Sequence, residues 1–342
     1  MVDILSGKSI KIAATTETLP IWIVAKKLEK KYQIINGPHT LTQQSSQDWE
    51  KNIYIFGERH QSKTVHEGES ITISEFLLDV VFKNLERPVD IFLEIALSNT
   101  VLPDDKGDMI DIRNTLVQNP TPNLIIHSSD VRAIQNGMSD FSIIILSLYY
   151  YLINLSSHFA FREAIRILLR DLSRVISSAD DENLIDFLIF QCDIGKEIDK
   201  QLNKSSIHED LEDFFNSRMN QEGLTKQFLL SSIESVLILL ESDYSPKIED
   251  LKLAEGLAVN LIIWQSMILD VYILAKMFAV EDFPDDPSKC CGIKKNIIVY
   301  VGNLHAERQR DFLKYLGFDV IKQFSGTEDF IDISEFNQPF FN

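Results

Sequence analysis

Ile53-Tyr54-Ile55-Phe56-Gly57-Glu58-Arg59-His60 runs four apolar residues straight into a glycine and three ionisable side chains. A strand of a parallel sheet is covered on both faces, so it reads as a short continuous run of β-branched and aromatic residues. Its C-terminal end opens onto the crevice where α/β proteins bind ligands. Gly57 lacks a Cβ, which lets the chain turn sharply and bring backbone close to a ligand. Glu58 and His60 are two apart, and in an extended segment they project to the same side. A carboxylate and an imidazole aimed into one crevice can bind a metal or share a proton. A strand end with solvated charges is the plainer alternative for these four residues taken alone.

The pattern recurs along the chain. Val89-Asp90-Ile91-Phe92-Leu93 ends in Glu94, and Asn123-Leu124-Ile125-Ile126 leads into His127-Ser128-Ser129-Asp130-Val131-Arg132. Asn296-Ile297-Ile298-Val299-Tyr300-Val301 ends in Gly302-Asn303-Leu304-His305; a helix from Ala306 to Leu316, stopped by Gly317, and a closing strand from Phe318 to Gln323 follow. Between the first two runs, Ser70 or Thr72 caps a helix through Leu85 whose Ile73, Phe76, Leu77, Val80 and Val81 share a face. Strand, helix, strand in that order forms a parallel, right-handed unit, which sets Glu58 and Glu94 at the ends of neighbouring strands. The expected fold class is α/β: a central, mainly parallel sheet flanked by helices and built from the runs at 53–57, 89–94, 123–127, 297–301 and 318–322.

Residues 139–280 hold few Gly or Pro, and apolar residues recur at three- and four-residue spacing in segments near 139–155, 159–177, 181–203, 207–220, 224–242 and 247–280. They read as a large all-helical insertion between the third and fourth core strands. The chain then divides into a lead-in (1–50), the first half of the α/β core (51–138), the insertion (139–280) and the second half of the core (281–342). In the lead-in, Pro20 starts a helix through Lys31 and the polar run Thr40 to Asp48 reads as a loop. Ser98 to Pro122 reads as an exposed connection or a flap over the crevice. Phe141 to Phe161 carries no charge and is long enough to span a bilayer. Its Ser142, Ser147, Asn154, Ser156, Ser157 and His158 are costly in lipid, so a buried helix breaking near Ser156-Ser157 is expected, and no membrane. Asp270, inside the apolar stretch Trp264 to Phe278, needs a partner, either within the helices or at the strand ends.

Gly57-Glu58-Arg59-His60, a strand-ending Glu94 and a late Gly302-Asn303-Leu304-His305 together resemble the erythromycin esterase, ChaN and TIKI/TraB superfamily. The resemblance covers four short patches between residues 53 and 320; nothing between Arg132 and Asp270 shares in it. It implies one α/β crevice ringed by those residues. The activities implied are mixed, from ester hydrolysis and metal-dependent proteolysis to haem binding, so the resemblance bears on the site more than on the reaction.

Composition narrows the partners. The 342 residues carry 33 Lys and Arg against 51 Asp and Glu, a formal charge of −18 that repels phosphate backbones and anionic headgroups, so no nucleic-acid partner is expected. Cys192 and the adjacent Cys290-Cys291 offer neither a disulfide framework nor zinc-ligand spacing. The start, Met1-Val2-Asp3-Ile4, shows no signal-peptide pattern. Both point to the cytoplasm.

His60 and His305 are the histidines placed beside glycines at strand ends. The candidate site is therefore Glu58, His60, Glu94 and His305, with Asp130 and Arg132 at its rim and Asp270 entering from the helices. Three arrangements stay open. A divalent ion on Glu58, His60, Glu94 and His305 can lower the pKa of a bound water; with no thiolate present, Mn²⁺, Fe²⁺, Co²⁺ and Zn²⁺ all suit the set. A His oriented by Glu can activate water without metal, with Arg132 or the second His facing the oxyanion. The same groups can bind a small, haem-like ligand with no turnover. Gly-x-Ser-x-Gly, His-Glu-x-x-His, Walker and dinucleotide patterns are absent. The expected function is hydrolysis of an ester or amide bond in a small-molecule or peptide substrate; the alternatives are a ligand-binding module or an interaction protein working through its helices.

Overall fold

The computed structural model describes residues 9–11, 18–20, 33–59, 70–85, 87–97, 108–121, 123–134, 140–178, 195–241, 247–279, 295–326, 330–336 and 340–341. Its strands are β1 (Ser9–Lys11), β2 (Thr18–Pro20), β3 (Ile34–Asn36), β4 (Pro38–Ser46), β5 (Lys51–Glu58), β6 (Ser70–Thr72), β7 (Val89–Leu97), β8 (Leu124–Ile134), β9 (Asn296–Gly302), β10 (Asp319–Ser325) and β11 (Phe330–Asp332). Its longer helices are α1 (Asp108–Gln118), α2 (Asp140–Ile153), α3 (Arg162–Ser177), α4 (Gly195–Lys204), α5 (His208–Gln221), α6 (Lys226–Glu241), α7 (Ile248–Phe278) and α8 (Asn303–Tyr315). The fold is mixed α/β around a six-stranded sheet of order β10-β4-β5-β9-β7-β8. The pairs β5–β9, β9–β7 and β7–β8 are parallel. The pairs β10–β4 and β4–β5 are antiparallel.

Both faces of the central strands β5, β9 and β7 are covered, which is why they carry unbroken apolar runs. Ile53, Ile55, Phe92, Ile297, Val299 and Val301 turn toward the helices and join their core. Tyr54, Phe56, Ile91, Leu93, Ile298 and Tyr300 turn the other way, onto Phe76, Leu77, Met109, Ile112 and Phe340. α7 packs against β8 and against α2, α4, α5, α6 and α8, and its stretch from Trp264 to Phe278, buried at every position but Lys276, is apolar on nearly every side, as the enclosed part of a helix must be. Its 31 residues have a mean hydropathy of 1.8 in the most apolar window, 78% of which is buried in the fold. Among the described residues it is the one unbent helix long and apolar enough to cross a membrane. At its C-terminus, buried Lys51 donates to the carbonyl of Met277 at 3.2 Å and lies 5.0 Å from the Phe278 ring, a cation answering the free carbonyls of a helix end.

Several expectations are corrected. The run Thr40 to Asp48 is largely strand: β4 spans Pro38–Ser46 and pairs antiparallel with β5. Its polar Thr40, Thr42 and Gln44 are buried because α8 supplies their partners. Arg310 Nη1 donates to Thr40 Oγ1 at 3.1 Å and to Thr42 Oγ1 at 3.3 Å, and Gln44 Nε2 donates to the Arg310 carbonyl at 3.2 Å. Glu58 and Glu94 do not end neighbouring strands, since β9 lies between β5 and β7. The closing strand, β10, sits at the edge and pairs antiparallel with β4. Part of the expected connection from Ser98 to Pro122 is helix α1. Thr72 does cap the next helical segment, but after Ile73–Glu75 it passes into a π-helical Phe76–Val81 and a 3₁₀ turn, Phe82–Asn84. The break in the uncharged stretch falls at Asn154, where the chain bends by 99°, and that stretch is half-buried: Ile145, Leu148 and Leu152 face inward while Ile143, Leu146 and Tyr150 are exposed. Pro20 closes strand β2 and does not open a helix; residues 21–32, the rest of the expected Pro20–Lys31 helix, lie outside the described residues.

Phe340 and Phe341 pack back onto the sheet. Phe340 is 1% exposed and stacks on Tyr54 with centroids 4.0 Å apart and planes at 6°, with Phe76 edge-on at 5.3 Å. Phe340→Ala is expected to lower stability by about 3 kcal/mol, the low end for a buried Phe-to-Ala change, because the cavity opens toward the chain end and can partly close. Urea unfolding followed by far-UV circular dichroism measures it; a loss under about 1 kcal/mol would mean that the tail does not hold the sheet.

Candidate functional site

α8 begins where β9 ends, with Gly302 as its N-cap at φ −58° and ψ 150°. The first turn of the helix therefore stands at the C-terminal edge of the parallel strands, the edge at which open α/β sheets present ligand sites. The N-terminal turns of α8 also lie close on β5, which Gly57 permits. A Cβ added at Gly57 would meet Thr40 Oγ1 at 2.5 Å, Asn303 Oδ1 at 2.8 Å and Ala306 Cβ at 2.9 Å. Gly57 thus makes room for a helix inside strand β5, where the sequence suggests a turn toward a ligand.

His305, in the first turn of α8, is 5% exposed. Its Nδ1 lies 3.0 Å from Asp270 Oδ1 on α7, a residue with no exposed surface. Both ring nitrogens face carboxylates, which only accept, and the shorter contact, at Nδ1, takes the proton of the neutral ring and leaves Nε2 aimed at the strand ends. There, Nε2 is 3.4 Å from Glu94 Oε1. The other oxygen of Glu94 accepts from the Gly302 backbone N–H at 2.6 Å, so a carboxylate occupies the positive end of α8. Glu94 lies in a register shift of β7 between Leu93 and Ala96, the kind of bulge that re-aims a side chain.

Asp270 is saturated. Besides His305, its Oδ1 accepts from Gln309 Nε2 at 3.1 Å and its Oδ2 from Arg308 Nη1 at 3.3 Å. Arg308, also fully buried, gives the same Nη1 to Ser266 Oγ at 2.7 Å. Its Nη2 donates to the Ile263 carbonyl at 3.4 Å and faces Glu222 Oε2 at 3.6 Å. Glu222 in turn accepts from Arg218 Nε at 2.6 Å, and Arg218 Nη1 reaches Asp311 at 2.9 Å. A charged chain therefore runs from the part-exposed Arg218 on α5 to the buried His305. On the opposite side of α8, burial holds the Arg310 guanidinium below its usual pKa range, with Glu307 and Asp311 pulling it back up.

A second buried imidazole–carboxylate pair lies nearby: His127 Nε2 is 2.7 Å from Asp90 Oδ1, and the His127 ring stacks on Phe92 at 4.4 Å. Asp90, Phe92 and Glu94 alternate onto one face of β7, the face that carries Phe92 into the helical core.

Of the residues expected at the site, Glu94, His305 and Asp270 come together. Glu58 stands opposite Gly302 in the register, but alternation sets it with Tyr54 and Phe56 on the face away from the helical layer. Asp130 lies in β8 opposite Ala96. Arg132 belongs to the same strand, its side chain outside the described residues, and His60 lies outside them altogether. Arg308, Gln309, Ser266 and the Gly302 amide go beyond the expected set. The available signal was the spacing His305, Arg308, Gln309, which places all three on one helical face, coupled to an acid on α7 in need of a partner.

As for a metal, Asp270 and Glu94 sit on opposite nitrogens of His305, so one ion can touch only one of them together with the ring. Among the described residues no three His, Cys, Asp or Glu side chains converge on a point that could hold an ion. The described side chains do not fit a metal centre. Comparison with family models, curated proteins and solved structures gives no match for this chain.

Proposed function

We propose that the chain is a hydrolase of ester or amide bonds in a small-molecule or peptide substrate, acting in the cytoplasm through a water held by His305 and Glu94. The observation that carries this is the buried line Asp270–His305–Glu94 at the C-terminal edge of the parallel strands. His305 Nε2 takes a proton from the water as it attacks the carbonyl carbon. Asp270 holds the ring and faces the positive charge that forms, and the imidazolium then returns the proton to the leaving oxygen or nitrogen. Glu94, anchored on Gly302, orients the water and shares in stabilising the imidazolium. The resemblance to the erythromycin esterase, ChaN and TIKI/TraB superfamily supports the same reading. We read α2–α7 as an all-helical insertion between the third and fourth core strands; its use is to bring Asp270 to His305.

The test is a panel of simple esters and peptide amides offered to the wild-type protein, His305→Gln and Glu94→Gln. The expected result is turnover that falls about 10²- to 10⁴-fold in each variant, the span of a lost general base, with circular dichroism unchanged and wild-type activity surviving dialysis against chelator. Absence of turnover on every substrate, or full activity in both variants, overturns the proposal; activity lost to chelator and restored by Mn²⁺ or Zn²⁺ overturns its metal-free form.

A further inference from the structure

We propose that Arg308 is a positioning residue that fixes the His305 tautomer through Asp270 and ties it to the placement of α5 through Glu222; as a statement about turnover, this rests on the hydrolase reading above. A carboxylate beside an imidazole orients it only if the carboxylate is itself immobile. Asp270 has one oxygen for His305 and needs the other held. Arg308 Nη1 holds it at 3.3 Å while gripping Ser266 Oγ at 2.7 Å, one helical turn earlier on α7. The guanidinium is planar, so fixing Nη1 on α7 also fixes Nη2, which is directed at the Ile263 carbonyl and at Glu222 just past α5. One rigid group thus spans α8, α7 and the end of α5. Arg308 Nη1 donates to the Asp270 oxygen that His305 does not use, so Oδ1 stays aimed at Nδ1, and a proton held at Nδ1 leaves Nε2 to accept from the water. A lysine keeps the charge but lacks the fork and cannot hold Asp270 and face Glu222 at fixed angles.

Arg308 lies in contact with neither His305 Nε2 nor the strand-end crevice, so its effect is transmitted rather than direct. That separates it from His305 and Glu94 experimentally. The full chain, labelled with ¹⁵N-histidine, is examined by NMR as wild type, Arg308→Lys and Arg308→Met, with His305→Gln to assign the resonance. In the wild type, His305 shows the Nδ1–H tautomer. In Arg308→Met the signal moves toward a mixture of tautomers, and kcat on the best substrate falls about 10- to 100-fold, as when a partner of an active-site histidine is removed, while KM changes less than about threefold. Arg308→Lys keeps the fold through its charge and lies between the two; if Arg308→Met is too unstable to purify, Arg308→Lys carries the comparison. A wild-type His305 in the Nε2–H tautomer, or an unchanged Nδ1–H spectrum in the folded arginine variants, overturns the proposal whatever the activity. Wild-type protein without turnover, but with the tautomer shifting as described, would sink the hydrolase reading and leave Arg308 as the group that orients His305.

Discussion

Asp270→Ala is expected to lower folding stability by about 3–5 kcal/mol, the range for breaking a buried ion pair by removing one partner. Asp270 and Arg308 both have no exposed surface. Removing the carboxylate leaves a guanidinium inside the helical core whose nearest remaining acid is Glu222 at 3.6 Å. It also strips the acceptor from His305 Nδ1 and Gln309 Nε2. Burial of an unpaired charge dominates this loss, since the missing side-chain volume is small. Asp270→Asn keeps an oxygen for one of these donors and should lose less. Urea titrations of the three proteins decide it: a loss below about 1 kcal/mol in Asp270→Ala would mean that Glu222 and water neutralise Arg308 without help.

The second large effect is expected from the smallest change, Gly57→Ala. The added methyl would sit 2.5 Å from Thr40 Oγ1 and 2.9 Å from Ala306 Cβ, and neither is the tip of a flexible chain. Thr40 is held by its hydrogen bonds to Asn303 and Arg310, so relief must come from lifting α8 off β5. Overpacking of this kind lowers stability by about 1–3 kcal/mol. A functional loss of similar size should accompany it, because α8 carries His305, and a shift near 1 Å at a reacting group can lower a rate about 100-fold. A Gly57→Ala protein that stays folded at 25 °C yet loses one to two orders of magnitude in kcat is the expected outcome. Wild-type kcat in a folded variant would show that α8 does not need its close seat on β5.

The parts of this fold legible in the sequence are those where composition alone decides burial. Ile53 to Phe56, Ile91 to Leu93 and Ile297 to Val301 are apolar on both faces, and only an enclosed strand needs that. The helical stretch showed through its three- and four-residue spacing. β4 was hidden for the opposite reason: Thr40, Thr42 and Gln44 are polar, and their burial depends on Arg310 and Asn303, more than 250 residues away, so nothing local distinguishes the strand from a loop. Strand order was hidden as well. The rule that a strand–helix–strand unit is parallel and right-handed permits another strand between the two, and β9 takes that place. At the site, His305 and Glu94 could be named because each closes an apolar run, and Asp270 because an acid among apolar residues requires a partner. Arg308 could not, since a basic residue on a polar helix is ordinarily solvated, and only the meeting of α7 with α8 makes it an interior charge.

The position of β9 bears on how the chain assembles. β9 pairs on both sides, with β5 and with β7, although β5 ends at Glu58 and β9 starts at Asn296. A nascent chain that has reached the end of the helices holds β5 and β7 without the strand that joins them, so two inner edges stand open with unpaired backbone groups. Contacts that bridge so many residues slow folding, because loop closure must come before any pairing compensates for it. Synthesis of the helical layer before the sheet can close gives the apolar faces of β5 and β7 something to rest against in the interval. Strands β4, β5, β7 and β8 on one side of the helices and β9 and β10 on the other accordingly share one sheet, and neither set can be expected to fold when cut from the other.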